Sequence, residues 1–139
     1  MKVKNYVLML TACGALAACG GSSSIREPSD LNDQRVFFAF DSANISEEAR
    51  NNLLGQSLYL KNHADTKIQI AGNCDERGTA EYNLALGHRR ANAAKSVIVK
   101  DGINAKRVSI ISYGKENPWK LGAGESVWKW NRNATTTVK

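Results

Sequence analysis

Residues 67–91 read KIQIAGNCDERGTAEYNLALGHRRA, and this stretch decides the fold class. Its first five residues alternate between polar and apolar side chains, which predicts a β-strand with one buried face. A polar loop at 73–79 follows, and a helix is predicted from a start between Thr79 and Asn83 to about Asp101. The stretch therefore predicts a strand, a loop and a helix in succession.

The alternation of strand and helix extends to both sides of this stretch. Before it, residues 36–40 form a short aromatic strand, and Ser46 is predicted to cap a helix that ends near Ala64. After it, the sequence predicts a strand at 107–112, a short helix at 125–131 and a closing strand at 133–138. The order βαβαβ with an αβ tail indicates an α+β two-layer sandwich, in which one mixed sheet carries its helices on one face.

Composition limits the possible classes of protein. The chain has 139 residues, of which 42% are hydrophobic and 23% charged, which suits one folded domain. A polytopic membrane protein is excluded, because only the N-terminal apolar run is long. The formal charge of +6 could suit nucleic acid, but a secreted domain does not meet DNA and no stripe of basic and aromatic residues is present. We therefore expect no nucleic-acid partner.

The N-terminus has the features of a signal peptide for export. Lys2 and Lys4 precede an apolar run at 6–17, which is too short to span a bilayer but suits a signal peptide. Residues 16–19 read LAAC and resemble a bacterial lipobox, in which Cys19 receives lipid after cleavage of residues 1–18. Gly20, not an Asp, follows the cysteine, which in lipoproteins of Gram-negative cells resembles an outer-membrane address. The alternative is an ordinary secretory signal with a chance cysteine.

The segment 19–34 is predicted to be a flexible tether, since it is rich in Gly, Ser, Pro and Asp, and 35–139 is the predicted domain. Loss of the signal would remove Cys13, and lipid would occupy Cys19, so Cys74 would be the one free thiol and no intrachain disulfide could form.

One group of residues in the loop and helix carries the chemistry. Asp75 lies where a strand end meets a helix start, and Asn83 and Arg90 are two turns apart on one helix face. Gly87 between them is expected to leave room for Arg90 to reach back along the helix. Asp75 and Arg90 could then converge on one small ligand that carries both an ammonium and a carboxylate.

This stretch resembles the peptidoglycan-binding signature of OmpA-like domains, D-x-x-G-x-x-x-x-N-x-x-L-[SG]-x-x-R-A. The matching residues are Asp75, Gly78, Asn83, Leu86, Gly87, Arg90 and Ala91. The resemblance extends from about Val36 to about Arg132 and implies binding rather than catalysis. It departs from the family pattern at two positions, where Ala39 replaces an Asp and Asn133 replaces an Arg.

In this family the ligand is the diaminopimelate of the peptidoglycan stem peptide. The resemblance implies that Asp75 pairs with its ammonium and Arg90 grips its carboxylate as a bidentate fork. Lysine lacks this carboxylate, so a lysine-type peptide would leave Arg90 unpaired. The residues implied to complete the site are Asn83, Leu86, Arg132, the backbone near Gly78 and Thr79, and the bordering Phe40 and Asp41.

Other functions stay open at this point. The family resemblance also implies a TolB-like periplasmic propeller of the Tol system as a partner, so the chain could act mainly as a lipid-anchored adaptor. A cell-wall hydrolase is the third alternative, although the sequence has no nucleophile elbow, no HExxH and no Ser-His-Asp order. Cys74 and His88 lack the paired spacing of a zinc site, and no cofactor is expected.

Overall fold

The computed structural model describes residues 24–139, so the predicted signal peptide at 1–18 and the lipidation site at Cys19 lie outside the described residues. Within these residues the structure has four strands, three α-helices and a short 3-10 turn. They are β1 (Gln34–Phe37), α1 (Glu47–Asn62), β2 (Ile68–Asn73), α2 (Ala80–Lys100), the turn Ala105–Arg107, β3 (Val108–Gly114), α3 (Glu125–Asn131) and β4 (Asn133–Val138). Within 24–139, no helix combines the length and apolarity needed to cross a bilayer.

The strands form one mixed sheet in the order β1-β4-β2-β3. β2 and β3 are parallel, whereas β4 runs antiparallel to both β1 and β2. One face of the sheet supplies Val36, Ile68, Ile70 and Val108 to the core, where they join buried residues of α1 and α2. The α+β class with helices against one face is confirmed.

Two helix starts follow directly from their capping residues. Ser46 Oγ accepts a hydrogen bond from the Ala49 N–H at 3.1 Å, so α1 begins one residue later. Thr79 Oγ1 accepts from the Tyr82 N–H at 3.1 Å and sets the start of α2 in the same way. Both predicted helices are therefore confirmed, with ends within a few residues of the expectation.

The first strand ends earlier than the sequence predicts. It was expected at 36–40, but β1 stops at Phe37. The Ala39 and Ser42 carbonyls accept hydrogen bonds from the Arg90 guanidinium instead of from a neighbouring strand. Asp41 has a left-handed backbone with φ of 53°, which turns the chain toward α1. The prediction was wrong because β4, the partner strand of β1, begins only at Asn133, opposite Phe37, and because a distant helix supplies the side chain that binds the next carbonyls.

The folded part of the chain also begins earlier than the predicted boundary at 35. Leu31 is fully buried in the core, and Gln34 is already in β1. The Arg26 carbonyl packs on Gly55 of α1 so closely that a Cβ there would lie 2.4 Å from its oxygen. The second half of the predicted 19–34 tether therefore packs on the domain, which shortens the segment available as a linker.

A close approach of α2 to β2 fixes the distance between the helix and the sheet. A Cβ on Gly87 would lie 2.3 Å from Ser112 Oγ and 2.9 Å from the Gly72 carbonyl oxygen. A Cβ on Gly72 would lie 1.7 Å from the Gly87 oxygen. Gly87 thus faces the sheet rather than the space between Asn83 and Arg90, so its expected role is corrected. Its missing side chain lets the helix pack tightly on the strand.

We expect Gly87→Ala to destabilise the domain by about 2 kcal/mol, since overpacking a tight contact costs roughly 1–3 kcal/mol. The sign of the change in stability is informative, because Gly→Ala within an unhindered helix stabilises by up to about 1 kcal/mol. Urea denaturation measures the change. His88→Ala, at the next and exposed position of the same helix, is the control and should change stability by less than about 0.5 kcal/mol. Stabilisation by Gly87→Ala would contradict the described packing.

Candidate ligand-binding site

A pocket of about 190 Å³ lies at the end of β2, between the loop after β1 and the start of α2. It is smaller than the roughly 300 Å³ at the lower limit of most small-molecule sites, so it suits one end of a ligand. Exposed Phe40, Asp41 and Tyr82 form its rim. The predicted site residues that line it are Phe40, Asp41, Asp75, Gly78, Asn83, Leu86 and Arg90.

The loop between β2 and α2 is shaped by local hydrogen bonds. Gly78 has φ of 94°, a conformation that side chains rarely adopt. Asn83 Nδ2 donates to the Arg77 carbonyl at 2.7 Å and to the Thr79 carbonyl at 3.0 Å. Both amide hydrogens of Asn83 are thereby used, so it holds the loop closed and has no donor left for a carboxylate. This differs from the role that the sequence predicts for it.

Arg90 projects from α2 into the inner wall of the pocket and is only 1% exposed. Its Nε donates to the Ser42 carbonyl at 2.8 Å, Nη1 to the Asn73 carbonyl at 2.9 Å and Nη2 to the Ala39 carbonyl at 3.1 Å. These partners are neutral, and among residues 24–139 no carboxylate forms a salt bridge with Arg90. Burial lowers the pKa of the Arg90 guanidinium from its ordinary value.

A buried guanidinium without an acidic partner is unusual. Arginine is rarely fully buried in proteins unless it is paired, because removing a charge from water is costly. The three carbonyls satisfy part of its hydrogen-bonding capacity, since a guanidinium has five donors. They do not neutralise its charge. Arg90 therefore gives the pocket a strong local attraction for an anion.

Asp75 lies in the same pocket and is 4% exposed, but its carboxylate is already occupied. Oδ1 accepts from the Arg77 backbone N–H at 3.0 Å and from Arg77 Nε at 3.2 Å. Oδ2 accepts from Arg77 Nη2 at 2.8 Å and lies 3.4 Å from Arg132 Nη1. Burial opposes ionisation of Asp75, but the Arg77 hydrogen bonds and charge, with help from Arg132, hold its pKa below the ordinary value.

Arg77 stands between Asp75 and solvent. Its guanidinium carbon lies 3.8 Å from the ring centroid of Phe40 and 4.1 Å from that of Trp128. Cation–π contacts of this kind hold a side chain in place with a modest energy. The Trp128 ring is itself oriented by a hydrogen bond from Nε1 to Glu76 Oε1 at 2.9 Å. The sequence did not identify Arg77 or Trp128 as site residues.

Arg132 supports the pocket from behind rather than lining it. Its Nε donates to the Phe38 carbonyl at 2.9 Å, and both Nη atoms donate to Glu125, at 3.0 and 2.5 Å. The Arg132 hydrogen bonds lower the pKa of the Glu125 carboxyl. Arg132 thus braces Asp75 while its own charge is matched by Glu125.

Some predicted residues lie outside the pocket wall. Thr79 caps α2 and does not line the pocket, and neither do the two residues at which the family pattern changes. Ala39 contributes only its carbonyl, to Arg90. Asn133 binds the Asn73 side chain at 2.8 Å. The departures from the family pattern therefore leave the pocket-lining side chains intact.

Three further lining residues escaped sequence reasoning: Cys74, Arg77 and Tyr82. Tyr82 donates a hydrogen bond to Asp41 and so joins the two sides of the rim. Cys74 is a buried thiol whose Sγ donates to the Asn83 carbonyl, and burial raises its pKa. Within the described part of the chain, no three His, Cys, Asp or Glu side chains are placed to hold a metal ion.

The depressed pKa of Asp75 makes part of the stability dependent on pH. Its carboxylate stabilises the folded state above the unfolded pKa of about 3.9, and this contribution is lost as pH falls toward the lower folded pKa. We expect Asp75→Asn to lower the free energy of unfolding by about 2 kcal/mol at pH 7. The difference from wild type should shrink below about pH 4.

Urea denaturation at pH 7, 4 and 3 measures this dependence. The control is Asp65→Asn, an exposed position before β2, which should change stability by less than about 0.5 kcal/mol. A difference between wild type and Asp75→Asn that stays constant down to pH 3 would contradict the described ion pair.

Comparisons with known proteins agree with this architecture. The chain matches the OmpA family over residues 37–132. It is 41% identical over 138 residues to the peptidoglycan-associated lipoprotein of Mesorhizobium japonicum, a match that covers 99% of this chain and 80% of that protein. It is 38% identical over 144 residues to the protein of the same name from Pasteurella multocida, with 96% of each covered.

Solved structures show the same relationship. The crystal structure of the peptidoglycan-associated lipoprotein from Burkholderia pseudomallei is 40% identical, with a TM-score of 0.73 and coverage of 76% of this chain and 89% of that one. The C-terminal domain of Helicobacter pylori MotB, at 18% identity, shares the fold with a TM-score of 0.71 and coverage of 76% and 84%. The chain therefore belongs to the OmpA family and, within it, to the peptidoglycan-associated lipoproteins.

Proposed function

We propose that this domain binds peptidoglycan non-covalently and that the pocket takes the diaminopimelate of the stem peptide. The observation that carries the proposal is Arg90, a buried guanidinium that lines the pocket and has no salt bridge to a carboxylate within residues 24–139. A ligand carboxylate would supply the missing negative charge. The names of the relatives associate those proteins with peptidoglycan and support this polymer as the ligand.

The negative charge of Asp75 requires a positive group on the ligand. Asp75 lines the same pocket as Arg90, so a ligand that reaches both must carry a cation as well as an anion. The free amino-acid end of diaminopimelate has both groups on one carbon. Lysine at the same place has the ammonium without the carboxylate, so Arg90 would stay uncompensated. Leaving a buried charge unpaired costs about 2–5 kcal/mol at an interface, which is enough for strong discrimination.

The anchor and the membrane location extend this proposal. LAAC at 16–19 supports lipidation of Cys19 and attachment to the outer membrane, with the domain facing the periplasm. A chain fixed to the membrane at Cys19 and to the cell wall through the pocket would tether one to the other. Since Leu31 is packed in the core, the connecting segment is short and the cell wall must lie close to the membrane.

A protein partner is a second candidate function. Phe40 and Tyr82 are 59% and 46% exposed at the rim of the pocket, and aromatic residues are enriched at protein interfaces. We propose that a TolB-like propeller of the Tol system docks over this rim. Such a partner would compete with soluble cell-wall fragments for the lipid-free domain, whereas simultaneous binding of both would contradict an overlapping surface.

Two conservative variants test the pocket. We expect Asp75→Asn and Arg90→Lys each to weaken co-sedimentation with diaminopimelate-type sacculi at least tenfold, because each removes a charge or a bidentate fork. Arg90→Lys is preferred to Arg90→Ala, which would leave three carbonyls without their donor. Circular dichroism confirms that each variant is folded.

Matched controls and a second type of cell wall complete the experiment. Lys100→Ala and Asp65→Asn change exposed charges away from the pocket and should bind as wild type does. Sacculi with lysine in place of diaminopimelate should bind wild type at least tenfold more weakly. Retained binding by both pocket variants would contradict the proposal, and a fall in the turbidity of the sacculi would favour a hydrolase instead.

A further inference from the structure

Both oxygens of the Asp75 carboxylate are taken by residues of the protein itself. Arg77 binds them in a bidentate manner, through Nε at 3.2 Å and Nη2 at 2.8 Å, and its backbone N–H binds Oδ1 as well. Arg132 lies against the remaining side of Oδ2 at 3.4 Å. A ligand ammonium needs a hydrogen-bonding direction at this carboxylate that is not already filled.

We infer that Arg77 is an internal substitute for the ligand ammonium and that binding exchanges one cation for the other at Asp75. The inference rests on the proposed function, since it concerns how the same pocket takes an ammonium. It assigns to Arg77 the role of a specificity-determining residue: a ligand must bring its own positive charge to replace the guanidinium. A ligand with a carboxylate alone would leave the Asp75–Arg77 pair in place.

Arg77, rather than Arg132, is the cation that can leave. The Arg132 side chain is 7% exposed, donates to the Phe38 carbonyl and is held by two hydrogen bonds to Glu125. The Arg77 side chain is 31% exposed, and among residues 24–139 its guanidinium contacts, apart from Asp75, the rings of Phe40 and Trp128 and approaches Glu125. Fewer and more exposed contacts hold Arg77, so its displacement costs less than that of Arg132.

The structure also provides a place for the displaced guanidinium. Glu125 Oε2 lies 3.9 Å from Arg77 Nη2, and the Glu125 side chain is 63% exposed. Glu125 already binds Arg132, but each carboxylate oxygen can accept more than one hydrogen bond, so Arg77 can rotate away from Asp75 and share this carboxylate in water. The backbone N–H of Arg77 can remain on Asp75 Oδ1 during this rotation, so the loop need not open.

Because of this exchange, the two charged groups of the ligand contribute unequally to the binding free energy. At Asp75 one cation replaces another, so the exchange itself adds little, although removing the carboxylate would leave Arg77 and Arg132 to repel the ammonium. At Arg90 the carboxylate meets a charge that no acid within 24–139 neutralises by a salt bridge, so the gain is larger. The affinity therefore comes mainly from the carboxylate, and Arg77 sets the requirement for an ammonium beside it.

Trp128 reports the movement. Its ring centroid lies 4.1 Å from the Arg77 guanidinium carbon, and a nearby charge alters the emission of an indole. Titration of the lipid-free domain with a soluble peptide that ends in meso-diaminopimelate should change the tryptophan fluorescence. Trp128→Phe retains a ring at this position, so it should bind the peptide without the fluorescence change.

The deciding variant is Arg77→Ala, compared with Lys100→Ala, which removes one positive charge from an exposed site at the far end of α2. Calorimetry with the same peptide should show that Arg77→Ala binds about fivefold more tightly than wild type, because the competing cation is gone. Lys100→Ala should bind as wild type does. The fluorescence change on binding should be much smaller in Arg77→Ala than in wild type.

The outcomes separate the two proposals. If wild type binds the peptide and Arg77→Ala binds it equally or more weakly, the exchange is overturned while the proposed function stands. If wild type does not bind the peptide, the proposed function fails and the exchange with it. If Arg77→Ala binds the peptide more tightly than wild type, and the fluorescence of wild type changes on binding, both the proposed function and the exchange are supported.

Discussion

The Arg90 guanidinium is the interaction on which the site and much of its surroundings depend. It joins α2 to two other parts of the chain. Its hydrogen bonds reach the loop after β1, at Ala39 and Ser42, and the end of β2, at Asn73. These bonds hold the loop that carries Phe40 and Asp41 over the pocket. The same charge is left without a salt-bridge partner among residues 24–139. One side chain thus organises the pocket and creates its attraction for an anion.

This arrangement requires the helix to lie close to the sheet. Gly72 and Gly87 remove the side chains that would hold α2 away from β2, and Arg90 follows Gly87 by three residues on the same helix. Arg90 Nη1 can then reach the Asn73 carbonyl at 2.9 Å. Tight packing and the geometry of the pocket are therefore coupled, since a shift of the helix would move the guanidinium relative to Asp75.

Much of this architecture was accessible from the sequence. The helix Glu125–Asn131 and the strand Asn133–Val138 were predicted with the observed bounds, and Ser46 and Thr79 lie at the observed helix starts. These features depend on local signals, such as capping side chains and alternating burial. The approach of Asp75 and Arg90 to one pocket followed from helical spacing and the family pattern.

The remaining features depend on contacts between distant residues. Leu31 is one apolar residue in a polar segment, so nothing local shows that it fills the core. Arg77 looks like half of a solvated surface pair, and only Phe40 and Trp128, far away in sequence, show that it caps Asp75. Asn83 matches the family pattern, but its amide closes the loop instead of facing a ligand. Sequence reasoning identified the charged pair but not its neighbours.

The central claim is that Asp75 and Arg90 bind the two charges of one amino-acid end. The most direct measurement is a crystal structure of the lipid-free domain soaked with a meso-diaminopimelate peptide. We expect the ligand carboxylate within hydrogen-bond distance of the Arg90 guanidinium and the ligand ammonium on the Asp75 carboxylate. A ligand seated elsewhere on the domain, with both side chains as they are in its absence, would contradict the account.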